Sequence, residues 1–273
     1  MRWYNFGHQF VLDRMLSINK KKLVMGLSRK KQRLAQGLFL AEGLKLVRDL
    51  IGGGVQPLFV FNTDDLLLSE DDHKVFAGVE MVVGTQEEMK QVSQLATPSS
   101  VLAVLRIPEG GFDLEQKPEG LVLVLDDIQD PGNMGTIIRV ADWFGIRQIV
   151  CSNSCVDAFN PKVVQATMGA LARVAVCETD LNAYLLRNQS AWQLPVYGTF
   201  LEGESIYSQP LSQEGFVVMG NEGKGISAAI GRFVTNKLLI PSYPEGVNTS
   251  ESLNVSTATA IVCSEFRRRA LVP

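Results

Sequence analysis

Histidine is nearly missing from this chain, with only His8 and His73 among 273 residues. Neither lies in a stretch that resembles a site, so imidazole general-base chemistry of the Ser-His-Asp kind has no candidate. Cysteine is almost as sparse, with Cys151, Cys155, Cys177 and Cys263 set among apolar or small residues at no repeated spacing. They read as reduced core thiols and not as staples. Cys151 and Cys155 form a lone CxxxC, but with no histidine nearby a zinc site lacks partners, and no metal is predicted. No segment approaches the ~18 consecutive apolar residues of a membrane helix, and the N-terminus has no secretory apolar core. A cytoplasmic protein with no membrane attachment is expected.

Acid is scarce in one region only. Residues 14–48 carry ten basic side chains (Arg14, Lys20, Lys21, Lys22, Arg29, Lys30, Lys31, Arg33, Lys45 and Arg48) against Glu42, a local balance of +9. Residues 1–13 are neutral and the whole chain is −3, which leaves −12 for the remainder. A basic run without compensating acids suits a polyanion such as RNA. The plainer reading is a solvated helical face.

A hydrophobic content of 46% over this length can fill one large core or two modest ones, and two domains are expected. Residues 1–14 show no period and precede Met15, so they are expected to stand outside the fold. Residues 15–107 read as a small α/β module. Basic helical turns span 17–36, strands fall at 37–43, 57–62, 80–84 and 99–107, and a helix follows Thr85, which has capping-box spacing to Glu88. PEGGFDLEQKP, residues 108–118, has no periodicity and reads as a linker. Residues 119–273 form a second α/β domain. Strands are predicted at 121–126, 148–152, 174–178, 196–200, 215–219 and 237–240, with helices near 134–145, 161–172, 181–189, 227–235 and 254–269. Such alternation gives a parallel sheet covered on both faces, whose sites form at the carboxyl ends of strands.

Three unusual stretches fall at such ends. In QDPGNMGTIIRVADWFGI, Pro131 and Gly132 make a turn and Asn133 is placed to cap the helix that follows. Met134, Ile137, Ile138 and Ala141 form the buried stripe of that helix, and Arg139 lies off it, one turn above Gly135. The plain alternative pairs Arg139 with Asp142 as a surface ion pair worth about 0.2–0.5 kcal/mol. GNEGKGIS invites a phosphate-loop reading, but Gly225 follows Lys224 where Ser or Thr is required. It also comes too late for a dinucleotide fingerprint. In ESLNVSTATA, Ser252 and Asn254 stand at the mouth of a helix ending in Arg267, Arg268 and Arg269, where they could simply cap it.

Together, DPGNMGTIIRVADWFGI, VVMGNEGKGIS and LLIP followed by ESLNVSTATA resemble, in order and spacing, the three motifs of the SpoU (TrmH-type) ribose 2′-O-methyltransferases of the SPOUT superfamily. FNPKVVQATMGA resembles the family's intervening segment, and INKKKLVMGLSRKKQRLAQGLFLAEG resembles its RNA-binding front domain. The resemblance implies a trefoil-knotted parallel-sheet domain that binds S-adenosylmethionine, dimerises through the C-terminal domain, and methylates a ribose 2′-hydroxyl of structured RNA without a metal. Ribosomal RNA is favoured over transfer RNA. It further implies that Arg139 acts at the reacting ribose with Asn133 nearby. Ser252 and Asn254 would orient cofactor or nucleophile, and Glu222 the second loop. The implied cofactor residues are Met219, Gly220, Asn221, Glu222, Gly223, Ile240, Pro241, Ser252, Leu253 and Asn254. The implied RNA contacts are Lys20, Lys21, Lys22, Arg29, Lys30, Lys31 and Arg33. The resemblance casts Arg139 as activator of the hydroxyl, but a guanidinium pKa above ~12 suits an electrostatic stabiliser and phosphate anchor better. Two features depart from the family: a longer segment at 242–250, and Gln165 where an arginine is common. The alternatives are a catalytically silent RNA-binding protein of the same fold and an unrelated nucleotide-binding enzyme. The intact Arg139, Ser252 and Asn254 weigh against the first, and the failed phosphate-loop match against the second.

Overall fold

The computed structural model describes residues 12–14, 16–64, 66–109, 111–244 and 250–270. The chain divides into two compact units, residues 1–109 with 159–172, and residues 110–158 with 173–273.

In the first unit the elements run β1 (Leu12–Arg14), α1 (Ile18–Gly26), α2 (Lys30–Gln36), β2 (Leu38–Glu42), α3 (Leu44–Gly52), β3 (Pro57–Thr63), α4 (Glu70–Val75), β4 (Met81–Gly84), α5 (Gln86–Val92) and β5 (Val101–Arg106). They build a sheet in the order β1-β4-β3-β5-β2, with β5 antiparallel to both neighbours. Alternation places Leu38 and Leu40, Phe59 and Phe61, and Leu102 and Val104 on one face, where α1 and α5 close the core with Val24, Leu27, Met89 and Val92. The capping box at Thr85 forms as expected: Thr85 N–H donates to Glu88 and Glu88 N–H donates to Thr85 Oγ1, both at 3.2 Å.

Three expectations for this region need correction. The segment 1–14 does not lie wholly outside the fold, because Leu12–Arg14 pairs in parallel with Met81–Val83 as an edge strand; the residues before it are outside the described set. The sequence reading places no element between 63 and 79, yet Ser69 and Asp72 form a second capping box that starts α4. The single helix expected at 161–172 is α7 (Pro161–Thr167), broken at Met168 with φ 51° and followed by a 3-10 turn at Ala170–Ala172. By its contacts this segment groups with the first unit. The reason is apolar: Phe39 points away from the Leu38 and Leu40 side of β2, and Phe159 covers it with ring centroids 5.0 Å apart.

The second unit contains β6 (Leu121–Asp126), α6 (Pro131–Trp143), β7 (Gln148–Ser152), β8 (Ala175–Thr179), α8 (Leu181–Arg187), β9 (Val196–Ser205), β10 (Gly215–Gly220), α9 (Ala228–Gly231), β11 (Asn236–Leu239) and α10 (Val255–Ala270). Its sheet is parallel throughout, in the order β11-β9-β10-β6-β7-β8. Sequence order is reversed about β6, so the ends of β6 and β10 lie side by side at the centre, with Gly220 paired to Asp126. Residues 121–126 and 215–220 are buried throughout, as strands covered on both faces must be. Beside them β9 departs from regular pairing: Gly198 pairs with Lys237 but Glu204 with Leu238, so Thr199–Gly203 bulges out of the ladder. A side chain at Gly203 would meet the Lys237 carbonyl oxygen at 2.9 Å, so the strand can close again only on glycine.

Candidate functional site

The site grows from the ends of β6 and β10. Asp126 accepts the Ser227 N–H at 2.8 Å, which ties the second loop to the first strand. Each backbone N–H that follows meets a side chain. Asp127 donates to Ser152 Oγ at 3.0 Å, Ile128 to Cys155 Sγ at 3.3 Å, Gln129 to Glu222 Oε2 at 3.5 Å and Asp130 to Glu222 Oε1 at 3.3 Å. The Cys155 thiol also donates to the Leu125 carbonyl oxygen at 3.3 Å. The hydrogen bond from Cys151, aided by Ser152 and the Ile128 N–H, brings the Cys155 thiol down to about 7 against the burial that raises it. Ser152 and Cys155 thus brace the first loop. The CxxxC in the sequence signalled only core thiols.

Asn133 is not the helix cap. Asp130 takes that place, accepting the Asn133 N–H at 2.8 Å with Pro131 in the first turn. This frees the Asn133 side chain, whose amide donates to Glu222 Oε1 at 3.0 Å and whose oxygen accepts from Asn254 Nδ2 at 2.9 Å. One asparagine therefore joins all three loops. Asn254 keeps a capping role as well, because its oxygen accepts from Ser256 N at 2.9 Å and Thr257 N at 3.3 Å at the start of α10. The second loop is a tight turn in which Asn221 and Gly225 exchange backbone bonds at 3.0 and 2.9 Å. Asn221 Oδ1 accepts from Gly223 and Lys224 N–H, both at 3.0 Å. A side chain at Gly220 would stand 2.2 Å from Ile226 N, so only glycine permits this closure.

Arg139 is exposed on α6, away from the stripe of Met134, Ile137, Ile138 and Ala141, which is buried as predicted. Its sequence-level partner is taken: Asp142 is held by Arg173, with Nη2–Oδ2 at 2.6 Å and Nε–Oδ1 at 2.9 Å. Among the described residues Arg139 forms no ion pair.

A cavity of about 1090 Å3 opens beside the second loop, within the second unit. Met219, Gly220, Asn221, Glu222, Gly223, Ile240, Pro241, Ser252 and Leu253 line it; of the expected cofactor residues only Asn254 does not. Sequence reading missed Phe200, Leu201 and Glu202 of the β9 bulge, whose only signal was the pair of glycines at 198 and 203. Glu202, Glu222 and Glu251 face it against Lys224 and Lys237, and Lys237 Nζ lies 5.0 Å from the centroid of the Phe200 ring. Residues 245–249, most of the long segment at 242–250, are outside the described set. Among the described residues no cluster of three or more metal-ligating side chains occurs.

The basic residues of the first unit divide into two groups. Arg33 is 2% exposed and donates to the Leu27 and Ser28 carbonyl oxygens at 2.8 and 2.9 Å, so it braces the turn between α1 and α2 and cannot be a phosphate contact. Lys20 pairs with Glu80, and Lys21 with Glu88 at 3.3 Å. Lys22, Arg29 and Lys31 are exposed, and Lys30 is half-buried. Gln165 lies half-buried on α7 in the same unit.

Known proteins resemble this chain over most of its length. The model of the SpoU rRNA methylase family matches residues 120–264, and that of an MRM3-like substrate binding domain matches residues 19–103. A 23S rRNA guanosine 2′-O-methyltransferase, RlmP of Bacillus subtilis, is 32% identical over 87% of this chain and 92% of its own length. An S-adenosylmethionine-bound rRNA methyltransferase from Sinorhizobium meliloti superposes with a TM-score of 0.81 at 26% identity, covering 95% of this chain and 99% of that one. A Porphyromonas gingivalis chain assigned to the TrmH family of RNA methyltransferases gives 0.78 at 38% identity, over 93% and 99%. With a family model spanning more than half of its length and a relative this similar over nearly all of it, the chain belongs to the SpoU rRNA methylase family.

Proposed function

We propose that the protein transfers a methyl group from S-adenosylmethionine to a ribose 2′-hydroxyl of ribosomal RNA. The observation that carries this reading is the chain from Glu222 through Asn133 to Asn254, which draws three loops together beside one cavity. RlmP, a relative along most of the chain, is named for such a reaction on 23S rRNA.

The cavity suits the cofactor. Ile226, Leu239, Ile240, Pro241 and Leu253 offer apolar walls for a nucleoside, and three carboxylates against two lysines suit a sulfonium cation. When bound, S-adenosylmethionine supplies an electrophilic methyl. The residues of this chain have the harder task, since a ribose hydroxyl is a poor nucleophile at neutral pH and must be aligned while it loses its proton. Arg139, exposed and without an ion pair among the described residues, stabilises the developing alkoxide and anchors the neighbouring phosphate. Asn133, held from both sides, fixes the start of the helix that carries Arg139. Ser252 and Asn254 orient the ligands from the third loop, and Glu222 sets the second loop against the first. Lys22, Arg29 and Lys31 capture the RNA backbone.

The trefoil threading, the homodimer and a cytoplasmic site of action implied by the resemblance are part of the same proposal. Trp143, 84% exposed at the end of α6, offers the second unit an apolar surface for a second copy, which sedimentation of wild type against Trp143→Glu would test. No described helix is long and apolar enough to cross a membrane. For the reaction itself, ribosomal RNA lacking its own methylations is incubated with the cofactor and digested with alkali. A resistant dinucleotide supports the proposal. Methylation of a base nitrogen would overturn it, and RNA binding without transfer would favour the catalytically silent alternative.

A further inference from the structure

Asp127 has no assigned part in the reaction, yet both its backbone and its side chain are constrained in the first loop. Its backbone lies in the left-handed region at φ 62°, which residues with a side chain seldom adopt. Glycine would adopt the same conformation freely, so the aspartate side chain is being put to use. Asp127 Oδ1 accepts from Gln129 Nε2 at 2.6 Å, while Asn221 Nδ2 lies 2.8 Å from the Asp127 carbonyl oxygen and 3.2 Å from Oδ2. The bond to Gln129 is local and would suffice to shape a turn. Those to Asn221 cross 94 positions of sequence and reach the loop that walls the cavity. Asn221 cannot swing away easily, because its own oxygen is engaged by Gly223 and Lys224.

We infer that Asp127 is a positioning residue: through Asn221 it holds the loop that leads into the Asn133 and Arg139 helix in register with the cofactor loop. The physical requirement is strict. Methyl transfer needs acceptor and donor aligned, and a displacement of about 1 Å at a reacting centre can cost around a hundredfold. The inference rests on the methyltransfer reading above.

Asp127→Gly tests it, because glycine keeps the left-handed backbone and deletes the carboxylate. The expected result is an unchanged or raised Tm, a kcat reduced about tenfold or more, and a KM for S-adenosylmethionine within about threefold of wild type. Asp127→Asn retains one oxygen acceptor and should recover part of the lost rate. Asp127→Gly combined with Asn221→Ala should be hardly slower than the slower single variant, since Asn221→Ala already removes the contact to the Asp127 carboxylate that Asp127→Gly deletes, together with the bond to the Asp127 carbonyl oxygen. The inference is overturned if Asp127→Gly keeps the wild-type kcat, if its loss of rate merely tracks a fall in Tm, or if the two substitutions multiply. A wild-type protein that methylates no ribose would instead defeat the functional reading itself.

Discussion

Asn254 donates its side-chain amide to Asn133 Oδ1 at 2.9 Å across 121 positions of sequence. The bond explains why two residues that each look like a helix cap do more than cap. Asn254 spends its oxygen on α10 and its nitrogen on Asn133, while Asn133 leaves capping to Asp130 and joins the second and third loops.

Arg139→Ala should leave the fold intact, because the side chain is exposed and changes at such positions typically cost under ~0.5 kcal/mol. Turnover should fall by about two orders of magnitude, as when a preorganised electrostatic group is removed. Arg139→Lys then separates charge from geometry, since a largely restored rate means that charge suffices. A variant that melts early but stays active per folded molecule would contradict the assignment.

Asp142→Ala provides the contrast. It breaks the bidentate pair with Arg173 and should lower stability by about 1 kcal/mol or less, with kcat unchanged. Loss of kcat matching that of Arg139→Ala would show that Asp142 serves the site after all.

Replacing Lys22, Arg29 and Lys31 together by alanine should weaken RNA binding and reduce the slope of log affinity against log salt by roughly 2–3. Arg33→Ala should act differently. It takes the donor from the buried Leu27 carbonyl and the part-buried Ser28 carbonyl, costs about 1–3 kcal/mol of stability, and leaves the salt slope near wild type. Equal slopes for the triple variant and wild type would move the RNA surface elsewhere. Point substitutions are preferable to deleting residues 1–107, because deletion strips Phe159 of its partner Phe39.

Glu265 governs part of the acid response. Hydrogen bonds from Arg268 and then Arg269 hold its carboxyl at about 2, below the ordinary 4.5. A carboxylate with a depressed folded pKa adds stability that is complete above 4.5 and lost as pH falls toward 2. Thermal melts of Glu265→Gln should therefore lie below wild type at pH 7 and converge with it toward pH 2. A constant gap across that window would rule the ion cluster out.

The sequence by itself determined the elements and the chemistry on offer. Periodicity located the strands and most helices, the apolar stripe of α6 set Arg139 apart, and three loop motifs at strand ends named the family. Those are local properties, fixed by neighbours within a turn of helix or a few residues of strand. Even α4 and the Asp130 cap were written locally, as Ser-Glu-Asp-Asp and Asp-Pro, though short helices and adjacent capping candidates are hard to rank without the fold. Only the tertiary structure decided which partner each polar group takes. It gave Asp142 to Arg173, buried Arg33 under a turn, moved Phe159–Ala172 to the first unit, and set Asp127 against Asn221. Those choices join residues that chain topology alone brings together, and a polar group withdrawn from water must be satisfied by whatever the fold delivers beside it.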